Sequence, residues 1–515
     1  MAFTPDTVVY LCYVPIDSTQ QNQLKFADAA AQYAYFATCI KHTFANVTYL
    51  RKDNAAMVGA HIDTLWDVNY VMYQNTNFGT KWFYAFIEKM EWISDGTTKV
   101  YIKTDVYQTW MLDCTLLHSF VEREMITTDT VGANLVDEGL ELGEYIKYSE
   151  QSLTTMDDLA IVAAVTESSA GVAVIGGSYS GIYSGLAYYA FFGVGKIGAA
   201  NAFLNAYNTA GKIAGVMAIF MVPRVALPTD AVSGAALAND FVIGVVNLKT
   251  FLYDTATVGT HTARNKKLLQ YPYNFLHVTN LSGQSANYRL EYCEAFDGAF
   301  NFSYKTSVCP GARTMLIPLS GYKRPGSSLN PNSEEALTIG NYPMCSWVGG
   351  AWETWIAQNA ISVGSGIGSS IMSLGAGIAT ANPMAIGGGL VGVLSTMGEL
   401  YKHAIEPDHA RGNINGSTVQ VAWGLQHFVF YQMCVTPQFA ERLDQFFDMF
   451  GYKTNLVKVP NVTGRPYWNY VKTIDCNILG DIPAQDMIEL KQVYDKGVTL
   501  WHAGANVGNY ALNNH

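Results

Sequence analysis

The chain has 515 residues, a formal net charge of −11 and 14% charged residues, against roughly 25% in typical globular proteins. That length exceeds one core and predicts about three or four domains, while the acidic balance excludes a protein that grips nucleic acid by neutralising phosphates. An acidic wall remains compatible with DNA sliding past without sticking. Hydrophobic residues reach 49%, with 32 Tyr and 24 Phe, a composition suited to a subunit largely covered by neighbours.

From the N-terminus, Met1-Ala-Phe-Thr-Pro-Asp carries neither a basic region nor a signal-like apolar run, which predicts synthesis in a cytosol. Residues 1–150 have β character. Strands are expected at Thr7 to Tyr13, Val68 to Tyr73, Lys81 to Ile87 and Thr97 to Lys103. Asp95-Gly96 between two alternating runs predicts a hairpin over Glu88 to Asp105. In residues 151–260 an apolar run, Leu186 to Phe192, precedes an Ala-rich helical stretch, Lys196 to Gly211. Val216 to Val222 then stops at Pro223. This strand–helix–strand order predicts a small α/β lobe. Residues 261–350 return to β-like alternation, as in Asn287 to Tyr292, and strand signals resume at Val419 to Trp423. Phe439 to Gly451 reads as a helix with Phe439, Leu443, Phe446, Phe447 and Phe450 on one face and Gly451 as its stop. There is no internal repeat.

Cys12, Cys39, Cys114, Cys293, Cys309, Cys345, Cys434 and Cys476 form no CxxC pair, so zinc and redox motifs are absent and most are expected to be small buried hydrophobes. Gly193-Val-Gly195-Lys-Ile-Gly198 matches a dinucleotide fingerprint, but no acid follows before Asp230 to hold a ribose, leaving close helix–strand packing as its expected role. Gly176-Gly-Ser178-Tyr-Ser180 ends in serine where a nucleophile elbow needs glycine. No HExxH occurs, and Asp157, Asp158, Glu122 and Glu124 are expected to be solvated. No catalytic, cofactor-binding or metal-ligating residue is nominated, and the chain is not expected to be an enzyme.

The dominant feature lies between Glu353 and Glu399: 45 residues without Asp, Glu, Lys, Arg or His, ten of them glycine. Glycine loses the most backbone freedom on folding and brings no side chain to a core. Such a stretch suits a segment stored in one environment and used in another. Asn382-Pro383 divides it into two arms. In the first, Ile367, Ile371, Leu374 and Ile378 recur at helical spacing. Gly364/Gly368 and Gly388/Gly392 form GxxxG pairs that let helices approach closely in lipid. The second arm, Met384 to Met397, is short of the roughly 20 residues a spanning helix needs, so a hairpin or re-entrant insertion is expected. The branched aliphatics Ile361, Val363, Ile367, Ile371, Leu374 and Ile378 supply about −2 to −4 kcal/mol on an insertion scale, opposed by the glycines and serines between them. One copy is marginal; several together fit better. A glycine-rich hairpin packed permanently in a cavity or at an oligomer interface is the alternative.

Tyr70 to Asn75, Gly79 to Phe86, Asp105 to Met111, Gln270 to Tyr273, Gly451-Tyr-Lys, Asn469 to Thr473, Gly497 to His502 and Gly508 to Tyr510 occur in one order along the chain. Together they resemble the distal tail knob proteins of small short-tailed bacteriophages with protein-primed genomes. The resemblance implies an α+β, mainly β chain, with tube-forming β domains, an inserted α/β lobe and a long glycine-rich hydrophobic loop. It implies a first tube domain of residues 1–150 completed by 470–515, a lobe of residues 151–260 and a second tube domain of residues 261–350 completed by 413–469. Residues 351–412 would be the loop, and 413–515 the C-terminal tube segments. Its membrane-active residues would be Trp355, Ile361, Val363, Gly364, Ile367, Gly368, Ile371, Leu374, Ile378, Pro383, Ile386, Gly388, Leu390, Val391, Gly392 and Leu394. A hexamer, other tail proteins, the host cytoplasmic membrane and viral DNA passing without sequence-specific contact are the implied partners, with no cofactor.

Overall fold

In the computed structural model, residues 6–515 are described except 51, 76–78, 154–158, 168–177, 180–181, 184–185, 213–214, 238–245, 282, 294, 307, 309–312, 320–321, 323–335, 340–343, 348–409 and 413–426. The chain divides into two units, the first comprising Met1–Glu141, Ala263–Leu268 and Gln438–His515, the second Leu142–Thr262 and Leu269–Pro437.

Six strands of the first unit close into a barrel, in the order Thr7–Cys12, Ile40–Leu50, Ala55–Val58, Thr97–Thr104, Phe83–Ser94, Tyr70–Asn75 and back to Thr7–Cys12. Every neighbouring pair is antiparallel. Alternation along the strands sends Val9, Leu11, Val58, Val71, Val100 and Ile102 to one buried cluster. The expected hairpin forms about its Asp-Gly pair, with Ser94 opposite Thr97, and its first strand begins earlier, at Phe83.

A second sheet runs Asn22–Leu24, Val498–Trp501, Trp468–Ile474, Ser119–Glu124, Tyr452–Lys458, so strands from both ends of the chain meet in it. Two helices that the sequence reading did not anticipate brace this unit. Ala29–Thr38 starts where Asp28 accepts from the Ala31 amide, and its Phe36 stacks on Tyr70 at 5.4 Å. Ala484–Lys496 runs from Pro483 to Gly497 and buries Leu490, Val493 and Tyr494 against Val471, Val498 and Leu500. The expected aromatic helix spans Pro437–Phe450 and stops at Gly451, whose φ is +65°. Leu443 and Phe447 are buried, and so, unexpectedly, is Asp444.

In the second unit one four-stranded antiparallel sheet runs Tyr145–Ser152, Val429–Val435, Asn274–Thr279, Ser285–Tyr288 and another runs Val246–Leu252, Ala299–Thr306, Thr314–Pro318, Leu337–Ile339. The strand expected to reach Tyr292 ends at Tyr288, and a 3-10 turn occupies Leu290–Tyr292. A five-stranded sheet follows the order Ala187–Phe191, Leu159–Val165, Val216–Pro223, Met344–Trp347, Ala410–Gly412. Here the strand–helix–strand expectation is met: helix Lys196–Thr209 links the two strands that flank Leu159–Val165, and its Phe203 packs 4.9 Å from Tyr189 and 5.3 Å from Phe191. The glycines before it and in its first turn do not serve close packing, since a Cβ at Gly193, Gly195 or Gly198 would meet nothing within 4 Å. Gly193 (φ +80°) and Gly195 (φ +85°) instead allow the turn that starts the helix. Among the described residues the fold is thus mainly β, a barrel and several sheets braced by helices.

Other expectations need correction. Glu124 is fully buried rather than solvated, paired with Lys458 and accepting from the Asn461 amide at 2.9 Å; Glu122 is partly buried beside Lys472 at 2.8 Å. Both lie on Ser119–Glu124, which has a strand on each side, so charge there must be paired. Cys12, Cys434 and Cys476 are buried, whereas Cys39, Cys114 and Cys293 are half-buried. The strand expected at Val419 to Trp423, Asp157 and Asp158, and most of residues 176–180 lie outside the described residues.

Candidate functional site at the root of the apolar stretch

Trp355, Ile361, Val363, Gly364, Ile367, Gly368, Ile371, Leu374, Ile378, Pro383, Ile386, Gly388, Leu390, Val391, Gly392 and Leu394 all lie outside the described residues. What the structure does place is the chain on either side of them. Met344–Trp347 and Ala410–Gly412 pair antiparallel, with Cys345 opposite Gly412, Ser346 opposite Arg411 and Trp347 opposite Ala410. The chain that carries the apolar stretch therefore leaves this sheet edge after Trp347 and rejoins it at Ala410.

That root is anchored inward. Met344, Cys345 and Ser346 pair with Phe220, Ile219 and Ala218 of Val216–Pro223. This strand in turn pairs with Leu159–Val165, buried along all but its first residue. A continuous apolar run such as Leu-Ala-Ile-Val-Ala-Ala-Val is what a strand covered on both faces requires. Phe220 and Val222 enter the unit's core with Phe251, Phe300, Phe302 and Phe430. Arg411 carries the only charge in the two root strands.

Two buried acids elsewhere, Asp105 and Glu291, accept from structural donors. Asp105 caps helix Val106–Trp110, accepting from the Gln108 amide (3.1 Å), Tyr70 hydroxyl (2.9 Å) and Gln23 amide (3.2 Å); burial still pushes its carboxyl up to about 6. Glu291 is pushed up to about 7 by burial, and accepts from the Tyr271 amide at 3.1 Å. The Arg289 guanidinium nearby lies 4.3 Å over the Tyr271 ring.

The sequence reading missed a clasp around residues 263–268. Asp444 accepts from the Arg264 and Asn265 amides at 3.0 Å each, and Asp129 accepts from the Lys266 amide at 2.8 Å. Glu138 takes the Lys267 ammonium and the Arg123 guanidinium. The one available signal was an aspartate on the apolar face of an amphipathic helix. Among the described residues no cluster could hold a metal ion, and no helix is long and apolar enough to cross a membrane.

Several of the sequence motifs that carry the resemblance resolve to packing positions. A Cβ on Gly497 (φ +92°) would stand 2.3 Å from the Tyr470 hydroxyl, and Trp468 and Trp501 pack at 5.1 Å. These positions hold the fold together.

Comparison with known proteins agrees with this. Residues 239–515 match the family described as Bacillus phage phi29, tail knob protein gp9, C-terminal domain. Residues 5–115, which include the barrel, match the caudoviral major tail protein N-terminus. Tail knob protein gp9 of Bacillus phage PZA is 27% identical and that of Bacillus phage phi29 is 27% identical, each alignment covering 100% of both chains. Tail knob protein gp9 of Bacillus phage B103 is 25% identical over 97% of both chains. The fold is similar to the bacteriophage C1 tail knob protein gp12, with a TM-score of 0.65 at 16% identity over 99% of both chains. The chain belongs to the family of the phage phi29 tail knob protein gp9, and is a structural, non-enzymatic component of the virion at the distal tail.

Proposed function

We propose that this tail component closes the tail tip with its apolar stretch and, on release, inserts that stretch into the host cytoplasmic membrane as a conduit for DNA ejection. The observation that carries the reading is an uncharged, glycine-rich segment within the chain that connects Met344–Trp347 and Ala410–Gly412, two strands paired at one sheet edge. In this reading residues 351–412 form a finger on a fixed root, and Trp355 to Leu394 provide its lipid-facing and close-packing residues. Residues 1–150 with 470–515 form one tube layer, 261–350 with 413–469 a second, and 151–260 a lobe. Six copies form the ring. Linking the stretches on one ring raises their effective concentration, which offsets the marginal insertion energy of one copy. The formal charge of −11 supports passage of DNA along a wall that does not retain it.

Purified rings and a peptide covering Trp355 to Gly398 are to be mixed with dye-loaded liposomes across a pH range, with the leakage expected to depend on this segment. Intact rings and peptide that leave the liposomes sealed under every condition would reject the reading. Deleting residues 356–398 separates it from permanent packing: tubes that assemble and adsorb but do not eject DNA indicate penetration, whereas failure to assemble indicates a packing role.

A further inference from the structure

One face of the sheet that joins the two ends of the chain carries buried polar atoms without partners. Asn469 is fully buried, and neither its amide nitrogen nor its amide oxygen has a hydrogen-bond partner among the described residues. It sits opposite Leu500, which sits opposite Gln23. Register partners share a face and side chains alternate along a strand, so Lys25 and His502, two residues beyond Gln23 and Leu500, belong to the same face. Nε2 of His502 is likewise buried without a partner. The Lys25 ammonium donates to the Val462 carbonyl at 3.1 Å, and Val462 packs on the apolar cluster of this face. Asn461 ties that segment down beside Asn469, its side chain donating to the Met125 carbonyl at 2.8 Å while the Met125 amide donates to the Tyr470 carbonyl at 3.1 Å.

We propose that this face is an internal hydration site: two ordered waters accept from the Lys25 ammonium and the Asn469 amide N–H, and donate to the Asn469 carbonyl and His502 Nε2. A buried amide without partners forfeits its hydration uncompensated, which folded proteins rarely tolerate, and ordered water is the usual remedy. Burial holds the His502 pKa below the ordinary histidine value and the nearby Lys25 charge acts in the same direction, which keeps the ring neutral; with its hydrogen assigned to the nitrogen beside the Pro466 carbonyl, Nε2 is an acceptor. A bound anion would face two lone pairs against a single full positive charge. Water satisfies both kinds of group.

The test is a high-resolution crystal structure of the full chain, grown with and without bromide. Two solvent peaks within hydrogen-bond distance of these atoms, with no anomalous signal, are expected. A bromide peak would assign an anion site and overturn the proposal, as would the absence of density beside Asn469. Asn469→Leu, similar in volume but without polar atoms, is expected to expel the water, strand His502 Nε2 and lower the thermal midpoint. A raised midpoint would show that the face is dry.

Discussion

A Cβ on Gly451 would stand 2.0 Å from the carbonyl oxygen of Glu124 and 2.5 Å from its carbonyl carbon. Gly451 also holds a φ of +65°, where it ends helix Pro437–Phe450 and lets strand Tyr452–Lys458 turn onto Ser119–Glu124. Gly451→Ala combines backbone strain with overpacking against atoms that cannot retreat. The expected cost is on the order of 3 kcal/mol or more, measured by urea denaturation of the full chain. A loss below about 1 kcal/mol would mean that the two strands can separate locally without penalty.

Glu138 is shared between two cations, and this predicts an order of effects. Glu138→Ala leaves both Lys267 and Arg123 buried without their acceptor, and is expected to cost about 3–5 kcal/mol. Lys267→Met leaves Glu138 paired with Arg123 and accepting from the Lys453 amide at 3.0 Å, and should cost less. The double variant Glu138→Leu with Lys267→Met should fall between them, because Arg123 is then the one cation left without its carboxylate, and it still donates to the Gly451 carbonyl at 2.8 Å. Equal effects from the two single variants would contradict the role of Glu138 as the carboxylate shared by both cations.

Which parts of this structure could be seen in the sequence follows from how local their causes are. The Asp95-Gly96 hairpin and the stop at Gly451 are dictated by neighbours in the chain, and both formed where expected. Helix Ala484–Lys496 had its local marks, Pro483 before it and Gly497 after, but its apolar residues are few and its mean composition is polar. Helix Ala29–Thr38 follows a capping Asp28, a signal overshadowed by the β character on either side. The burial of Glu124 and Asp444 was not legible, because their partners Lys458 and residues 264–265 come from distant segments. The root of the apolar stretch was hidden for the same reason. Nothing local announces that Cys345 will pair with Gly412.

The Glu291 carboxyl gives a pH dependence whose sign can be worked out. Burial moves it from 4.5 up to about 7 in the folded chain. Between those values the folded chain retains a proton that the unfolded chain has released, so stability is full below about 4.5 and falls as pH rises to about 7. The loss across that window is on the order of 3 kcal/mol. Glu291→Gln keeps the shape without the titration. Relative to the unaltered chain, its unfolding free energy should therefore rise by that amount between pH 4 and pH 7.5. Parallel pH curves for the two proteins, from urea unfolding at several pH values, would contradict the assignment.

Because Trp347 and Ala410 are register partners, residues 348–409 can be removed without stretching the backbone between them. A two-residue Asn-Gly turn suits an antiparallel pair, since its positive φ angles match the twist of the strands. Met344–Trp347 is also held on its other side by Val216–Pro223, so the sheet does not depend on the excised stretch for pairing. The shortened chain is expected to fold with hydrogen-exchange protection of Val216–Pro223 unchanged. Loss of that protection would show that the stretch supports the sheet and argue for permanent packing. Retained protection together with abolished liposome leakage would confine membrane activity to the removed residues, because the root would then be present and inert.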